Sequence, residues 1–313
     1  MLGPGRMFYG WWIVFAATFL GAIASGSYFA GFSAFFLALI EEFDVSRGAL
    51  SSVVSISHLL AGVVAPFQGY LTDRFGPRRI MYVGIAMMGL GFILISTAQS
   101  FILFAVYLIV FIPLGAQMGF LFPAVTAIAN WFNKRRGIAF GIAMSGMALG
   151  SALVVGTNFL VESLGWRGAA VTLGFIVWGV GFPLASLVRY RPEQYGMLPD
   201  GAKRPDEASG PDVAATSLET DFTTREALRT SEFWWMNLSF SLRSFLNVAL
   251  AVHFIPAMQD KGFSSGTAAA LFGLLGFLTI AGLLGNGLLI DAISKKLVGI
   301  YQTALMIVAM LVF

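Results

Sequence analysis

The chain has 313 residues, 58% of them hydrophobic and only 11% charged, about half the charged share of a soluble globular protein. With 30 Phe, 36 Gly and a mean hydropathy of +0.81 there is too little polar surface to coat a water-soluble body, so the sequence reads as an integral membrane protein. The net charge of +3 and pI near 9.3 raise nucleic acid as a partner, a reading that the placement of the charges removes below, and the absence of Cys excludes disulfides, thiolate nucleophiles and thiolate metal sites.

In chain order, apolar runs of the roughly 20 residues needed to cross about 30 Å of hydrocarbon lie at about 8–40, 48–71, 80–97, 101–126, 137–160, 166–188, 232–257 and 266–290. A ninth begins near Leu297. None alternates like a strand, so all are predicted to be helices that satisfy their own backbone. Ala22-Ile23-Ala24 superficially fits a signal-peptidase site, but the apolar run continues past it, so the first helix is expected to stay uncleaved. Pro113 is expected to kink the fourth span.

The loops alternate in charge. Arg6, Arg74/Arg78/Arg79, Lys134/Arg135/Arg136, six Lys/Arg between Arg189 and Arg229, and Lys295/Lys296 fall on one side; Arg47, Arg167 and Lys261 fall on the other. That is 15 against 3, with Arg243 inside a span. The asymmetry predicts a multi-pass protein of a plasma or inner membrane with its N-terminus in the cytoplasm. It also accounts for the basic pI, so nucleic acid is discarded as a partner and the lipid bilayer takes its place.

Residues 190–231 change character, with Pro192, Pro199, Pro205, Pro211 and many charges. They read as a solvated cytoplasmic linker, a plain tether with a regulatory role as the alternative. Thr223-Thr224-Arg225-Glu226 reads as a capping box opening a short helix before Trp234. Sliding the chain on itself by 218 residues sets Val45-Ser46-Arg47-Gly48 on Phe263-Ser264-Ser265-Gly266, and Gly69, Leu71 and Asp73 on Gly287, Leu289 and Asp291. Spans 2 and 8 are thus equivalents in two halves of six helices each. The expected organisation is 1–189 as the first six-helix half, 190–231 as linker, and 232–313 as an incomplete second half holding helices 7, 8 and the start of 9. On that count about three helices are expected to follow Phe313, the chain being a fragment or a truncated product.

Gly69-Tyr70-Leu71-Thr72-Asp73-Arg74-Phe75-Gly76-Pro77-Arg78-Arg79 lies in the short basic loop between spans 2 and 3. It resembles the G-x-L-x-D-R-x-G-x-R-R signature of the major facilitator superfamily, and Gly287–Lys296 resembles a weaker second copy. The resemblance implies an all-α polytopic membrane protein, a helical bundle of the major-facilitator type. It also implies that Gly69, Asp73, Arg74, Gly76, Arg78 and Arg79, with Gly287 and Asp291, form a conformational latch whose first Asp contacts the start of an eleventh helix. Asn130-Trp131-Phe132-Asn133-Lys134-Arg135-Arg136-Gly137 and the Gly141, Ser145, Gly146, Gly150 run are similar to the fifth-helix entry of monocarboxylate and oxalate–formate carriers, as is Pro192–Gly201 to their segment after helix 6. Tyr9-Gly10-Trp11-Trp12 resembles their first-helix opening.

Gly137, Gly141 and Ser145, like Ala61, Ala65 and Gly69, recur every four residues as small stripes suited to close helix packing. Polar side chains inside spans are the functional candidates. Ser239, Arg243 and Asn247 recur at spacing four on span 7, with His253 on the same half of the helix. Arg243 either pairs with a substrate carboxylate, or bonds between helices or snorkels to the near interface. His253, in a His-x-x-Pro segment resembling the family's, either titrates or packs, and His58 reads as a packed ring. Thr18, Gly21, Ser25 and Tyr28 share a face of span 1 that suits a central cavity, which Gln117 of span 4 could join; plain helix–helix contact is the alternative. Where many monocarboxylate carriers place an Arg in span 8, this chain has Leu283, and no Asp or Glu lies deep in a span.

Two His without a nearby Asp, Glu or Cys give no protease dyad or metal site, and no P-loop occurs, so no enzyme, cofactor or metal is expected. The expectation is a secondary active transporter moving a small organic anion, monocarboxylate-like, by alternating access, coupled to a proton or counter-substrate. The alternatives are a carrier of neutral or cationic solutes and a truncated, non-transporting membrane protein.

Overall fold

The computed structural model describes residues 8–201, 224–263, 265–293 and 295–312. These residues fall into two compact bodies, one of Met1–Ala202 with Ile280–Phe313 and one of Lys203–Thr279. Regular structure among the described residues is helical throughout.

In the larger body α1 (Gly10–Ala24) passes through a π-helical turn (Ser25–Phe29) into α2 (Phe32–Phe43). The wide turn lets both Ala30 N and Gly31 N reach the Ser25 carbonyl, at 2.8 and 3.1 Å. Gly31 is required there, because a Cβ would strike the Gly26 carbonyl. Thr157 Oγ1 donates to that same Gly26 carbonyl at 2.8 Å, so the irregular turn has its backbone satisfied from a neighbouring helix. Ser46 caps α3 (Arg47–Phe75) by accepting from Ala49 N. Gly76, at φ 81°, then turns the chain into α4 (Pro77–Ser96), whose first residue is a proline that needs no N–H partner.

Ser100 caps α5 (Phe101–Ala116), and a second π turn (Gln117–Leu121) leads into α6 (Phe122–Trp131). Pro113 lies just before that turn, where its missing N–H already opens the hydrogen-bond ladder. The long helix α7 (Arg136–Leu187) is broken at Gly165, φ 70° and ψ 166°, which separates the expected fifth and sixth spans. Five stretches of described residues are long and apolar enough to cross a membrane: Gly10–Phe43, Arg47–Phe75, Pro77–Ser96, Phe101–Trp131 and Arg136–Leu187. Beyond them, α8 (Thr224–Ala227), α9 (Ser231–Asp260), α10 (Ser265–Ala292) and α11 (Lys295–Val312) fall on the expected short helix and the seventh, eighth and ninth apolar stretches. Thr223, the capping residue of the box expected at Thr223–Glu226, lies outside the described residues, while Thr224–Ala227 form α8.

The core forms where α7 packs along α1 and α4, and α4 along α5. Glycine makes these crossings possible, because lipid supplies no hydrophobic drive and close backbone contact must replace it. A Cβ on Gly146 would run into the Thr18 carbonyl, and one on Gly150 into that of Ala22. Gly146→Ala is therefore expected to destabilise the protein by about 1–3 kcal/mol through overpacking. Gly156→Ala, where an added Cβ meets nothing within 4 Å, is expected to be neutral. Thermal unfolding of both variants in the same detergent checks the pair.

At the end opposite the basic loops, one side chain ties three helix ends together. Arg167 pairs with Glu42 at 2.6 Å, donates to the Ala98 carbonyl at 3.0 Å and lies over the Trp166 ring. The Trp166 ring in turn packs against Phe43 and Phe104. The ion pair is more than a third exposed on both sides, so Arg167→Ala is expected to give only a small drop in thermal midpoint, one that narrows at high salt.

Candidate functional site

The polar candidates of the first body are held by different neighbours. Tyr28 sits in the π turn, 2% exposed, with its hydroxyl 3.0 Å from Ser57 Oγ of α3. Ser57 donates to the Val54 carbonyl at 2.7 Å, so Tyr28 is the donor and its single proton is engaged within the protein. The His58 ring stacks on Phe29 beside Tyr28. Ser25 is buried, its Cβ facing Gly150 of α7. Gln117 opens the second π turn, and its Oε1 is buried without a protein partner; Gly119 in the same turn packs backbone to backbone on Gly84 of α4. Thr18 bonds the carbonyls of Val14 and Ile142. A narrow cleft between α1, α6 and α7 is lined by Gly21, Phe120, Ala124, Met144 and Met147 among others, and none of Ser25, Tyr28 or Gln117 lines it.

In the smaller body, spacing alone places Ser239, Arg243 and Asn247 on one face of α9. Ser239 is exposed and Arg243 half-buried. The side chains of Asn247 and His253 lie outside the described residues.

The signature loop and its second copy are built differently. In the first, Thr72 accepts the Gly76 N–H, Arg74 donates to Tyr70 Oη at 3.0 Å and Arg78 to Tyr82 Oη at 3.1 Å, while Asp73, Arg79 and Gly69 are exposed. In the second, the Asp291 carboxylate caps the first turn of α7: Oδ1 accepts from Gly137 N at 2.6 Å and Oδ2 from Ile138 N at 2.9 Å. Such a seat suits a carboxylate twice over, since those N–H groups lack helical partners and the helix dipole is positive there. Gly287 makes the seat reachable. A Cβ on it would lie 2.6 Å from the Gly137 carbonyl, and a Cβ on Gly137 would strike the Gly287 carbonyl. One turn on, Gly141 faces the Leu283 carbonyl in the same way. The Gly137 and Gly141 part of the expected stripe thus packs on α10, and Gly146 and Gly150 pack on α1.

Sequence reasoning did not single out Ser57, the N–H groups of Gly137 and Ile138, or Asp200, whose Oδ2 accepts from Asn133 N and Lys134 N. The repeat offset held the one usable signal, because in the expected organisation it pairs the fifth span with an eleventh and so marks the fifth as a seat for the second Asp.

Long apolar helices crossed through glycine contacts, with basic loops gathered by sequence on one side, define a multi-pass membrane protein. The chain belongs to the Major Facilitator Superfamily, whose family model matches residues 14–313. Similar relatives include monocarboxylate transporter 13 of Bos taurus, 26% identical over 91% of this chain and 62% of the relative. The oxalate:formate antiporter of Oxalobacter formigenes is 27% identical over 72% of this chain and 50% of the antiporter. A probable hexose phosphate transport protein of Chlamydia pneumoniae is 25% identical over 82% and 59% respectively. The chain spans between half and two thirds of the length of these relatives.

Proposed function

We propose that the protein is a secondary active carrier for a small organic anion, working by alternating access between residues 1–189 and the half that begins at 232, joined by a cytoplasmic linker at 190–231. The observation that carries this reading is the Asp291 seat. It joins the start of the fifth span to the end of the eighth, on opposite halves of the expected organisation, through two charge-assisted hydrogen bonds and a glycine–glycine contact. A contact of that size holds one state closed at the basic, cytoplasmic end and still opens during turnover. In this reading the exposed Asp73 loop is its counterpart, with Gly69, Arg74, Gly76, Arg78 and Arg79. A cytoplasmic N-terminus is supported by the loop charges, and the plasma or inner membrane is the proposed location.

The anion assignment is supported by the relatives, whose names speak of monocarboxylates, oxalate with formate, and hexose phosphate, all anions at neutral pH. It is supported within the chain by Arg243, a cation near the middle of a 30-residue apolar helix. Arg243 with Ser239, Asn247 and His253 is the proposed anion-binding face of α9, and Ser25, Tyr28 and Gln117 are proposed separately as substrate-binding residues of the first half; a proton or a second anion is the coupled species.

The test is uptake by the full-length protein in proteoliposomes. Labelled lactate, oxalate, formate and a hexose phosphate are supplied against the uncharged hexose, with and without a proton gradient. Saturable uptake of an anion, competed by other anions and not by the hexose, is expected. Uptake of the neutral solute alone, or of nothing by folded protein, overturns the proposal.

A further inference from the structure

The segment after the sixth span is docked on the protein. Tyr9 Oη donates to the Leu187 carbonyl, Trp131 Nε1 to that of Arg189 and Asn130 Nδ2 to that of Tyr190, at 3.0, 3.0 and 3.2 Å. The Arg189 guanidinium lies between the rings of Tyr9 and Tyr195, 4.0 and 4.2 Å from their centroids. The chain then makes two 3₁₀ turns, Pro192–Tyr195 and Pro199–Gly201. In the second, Asp200 and Gly201 are both left-handed, at φ 58° and 69°, a conformation unfavourable for a residue with a Cβ. This turn delivers the Asp200 carboxylate to the loop between α6 and α7, where Oδ2 accepts from Asn133 N at 2.9 Å and Lys134 N at 2.7 Å and Oδ1 is buried.

The six residues Asn133–Ile138 are therefore held by a carboxylate at each end, Asp200 on the first two and Asp291 on the last two. Between them Arg136 folds back onto α6, donating to the Phe132 and Ala129 carbonyls at 2.9 and 2.7 Å. We infer that Asp200 is a positioning residue for the Asp291 seat. By fixing the path of the loop it fixes the direction in which the Gly137 and Ile138 N–H groups point, and so how firmly Asp291 closes on them. Residues 190–201 then act as a brace on the conformational latch and are more than a tether. The inference rests on the proposed role of the Asp291 seat in the transport cycle.

Amide hydrogen exchange, resolved to single residues by electron-transfer fragmentation, tests it on the full-length protein in nanodiscs. Asp200→Gly keeps the left-handed backbone and removes the carboxylate, whereas Asp200→Asn keeps one neutral acceptor. Asp200→Gly is expected to speed exchange about tenfold at Gly137 and Ile138, which Asp200 does not touch, as well as at Asn133 and Lys134, with Asp200→Asn intermediate. Amides of α4 serve as the fold check and are expected to be unchanged. Acceleration confined to Asn133 and Lys134 overturns the inference, because Asp200 would then hold only its own loop. Asp291→Asn separates the two readings. If it deprotects Gly137 and Ile138 while Asp200→Gly does not, the brace falls and the seat stands; if it leaves them protected, both fall. Should Asp200→Gly fail to fold, Asp200→Asn decides by the same two positions.

Discussion

On the proposed anion-carrier reading, Arg243→Lys is expected to leave a folded protein that takes up the anion with a KM raised about ten- to a hundredfold and a smaller change in kcat. Guanidinium presents two parallel N–H donors to a carboxylate, while an ammonium offers a point charge on a flexible stem. Losing one of two charge-assisted hydrogen bonds in a site shielded from water costs roughly 1.5–3 kcal/mol, which sets that range. Arg243→Ala is expected to abolish saturable uptake, because neither charge nor donor remains. The competing structural role for Arg243, a bond between helices, makes the opposite forecast. Lysine would then restore transport at unchanged KM, and the alanine variant would fail by loss of folded protein. Initial rates across a substrate series, set beside the fraction of protein that elutes as a monodisperse peak, separate the two.

In the proposed alternating-access cycle, Asp291→Ala is expected to shift the protein toward the state open at its basic end by about thirtyfold. The variant loses two charge-assisted hydrogen bonds and a favourable charge at a helix N-terminus, worth about 2 kcal/mol together at a partly exposed site. The chain contains no Cys, so a single cysteine placed at Ile138, beside the seat, is a clean reporter. Its rate of reaction with a membrane-impermeant thiol reagent is expected to rise by the same factor in the variant. Unchanged reactivity, with transport also unchanged, would show that the seat is incidental to the cycle.

The spans were legible because hydropathy and length decide them in a membrane, and the break at Gly165 falls in the short interval left between the fifth and sixth apolar runs. The second signature loop was legible through its repeat with the first. Its seat was not, because the groups that receive Asp291 are backbone N–H, which carry no mark of residue type. The face assigned to span 1 illustrates a different limit. Placing Thr18, Gly21, Ser25 and Tyr28 together assumes 100° per residue throughout, but a π turn begins at Ser25 and inserts extra backbone. Residues beyond it are rotated, and Tyr28 meets Ser57 of α3. Asp200 was hidden for a third reason. Proline and charge made 190–231 read as solvent-exposed linker, and only its first part, as far as Gly201, is described as docked.

The mutual approach of Gly137 and Gly287 can be engineered in one direction only. No side chain tightens it, since glycine is already the smallest, whereas a single methyl at position 287 would be a wedge driven between two carbonyl-lined helices. In the proposed alternating-access cycle, Gly287→Ala is therefore expected to favour the conformer open at the basic end, for structure determination with no antibody, ligand or crosslink to hold it.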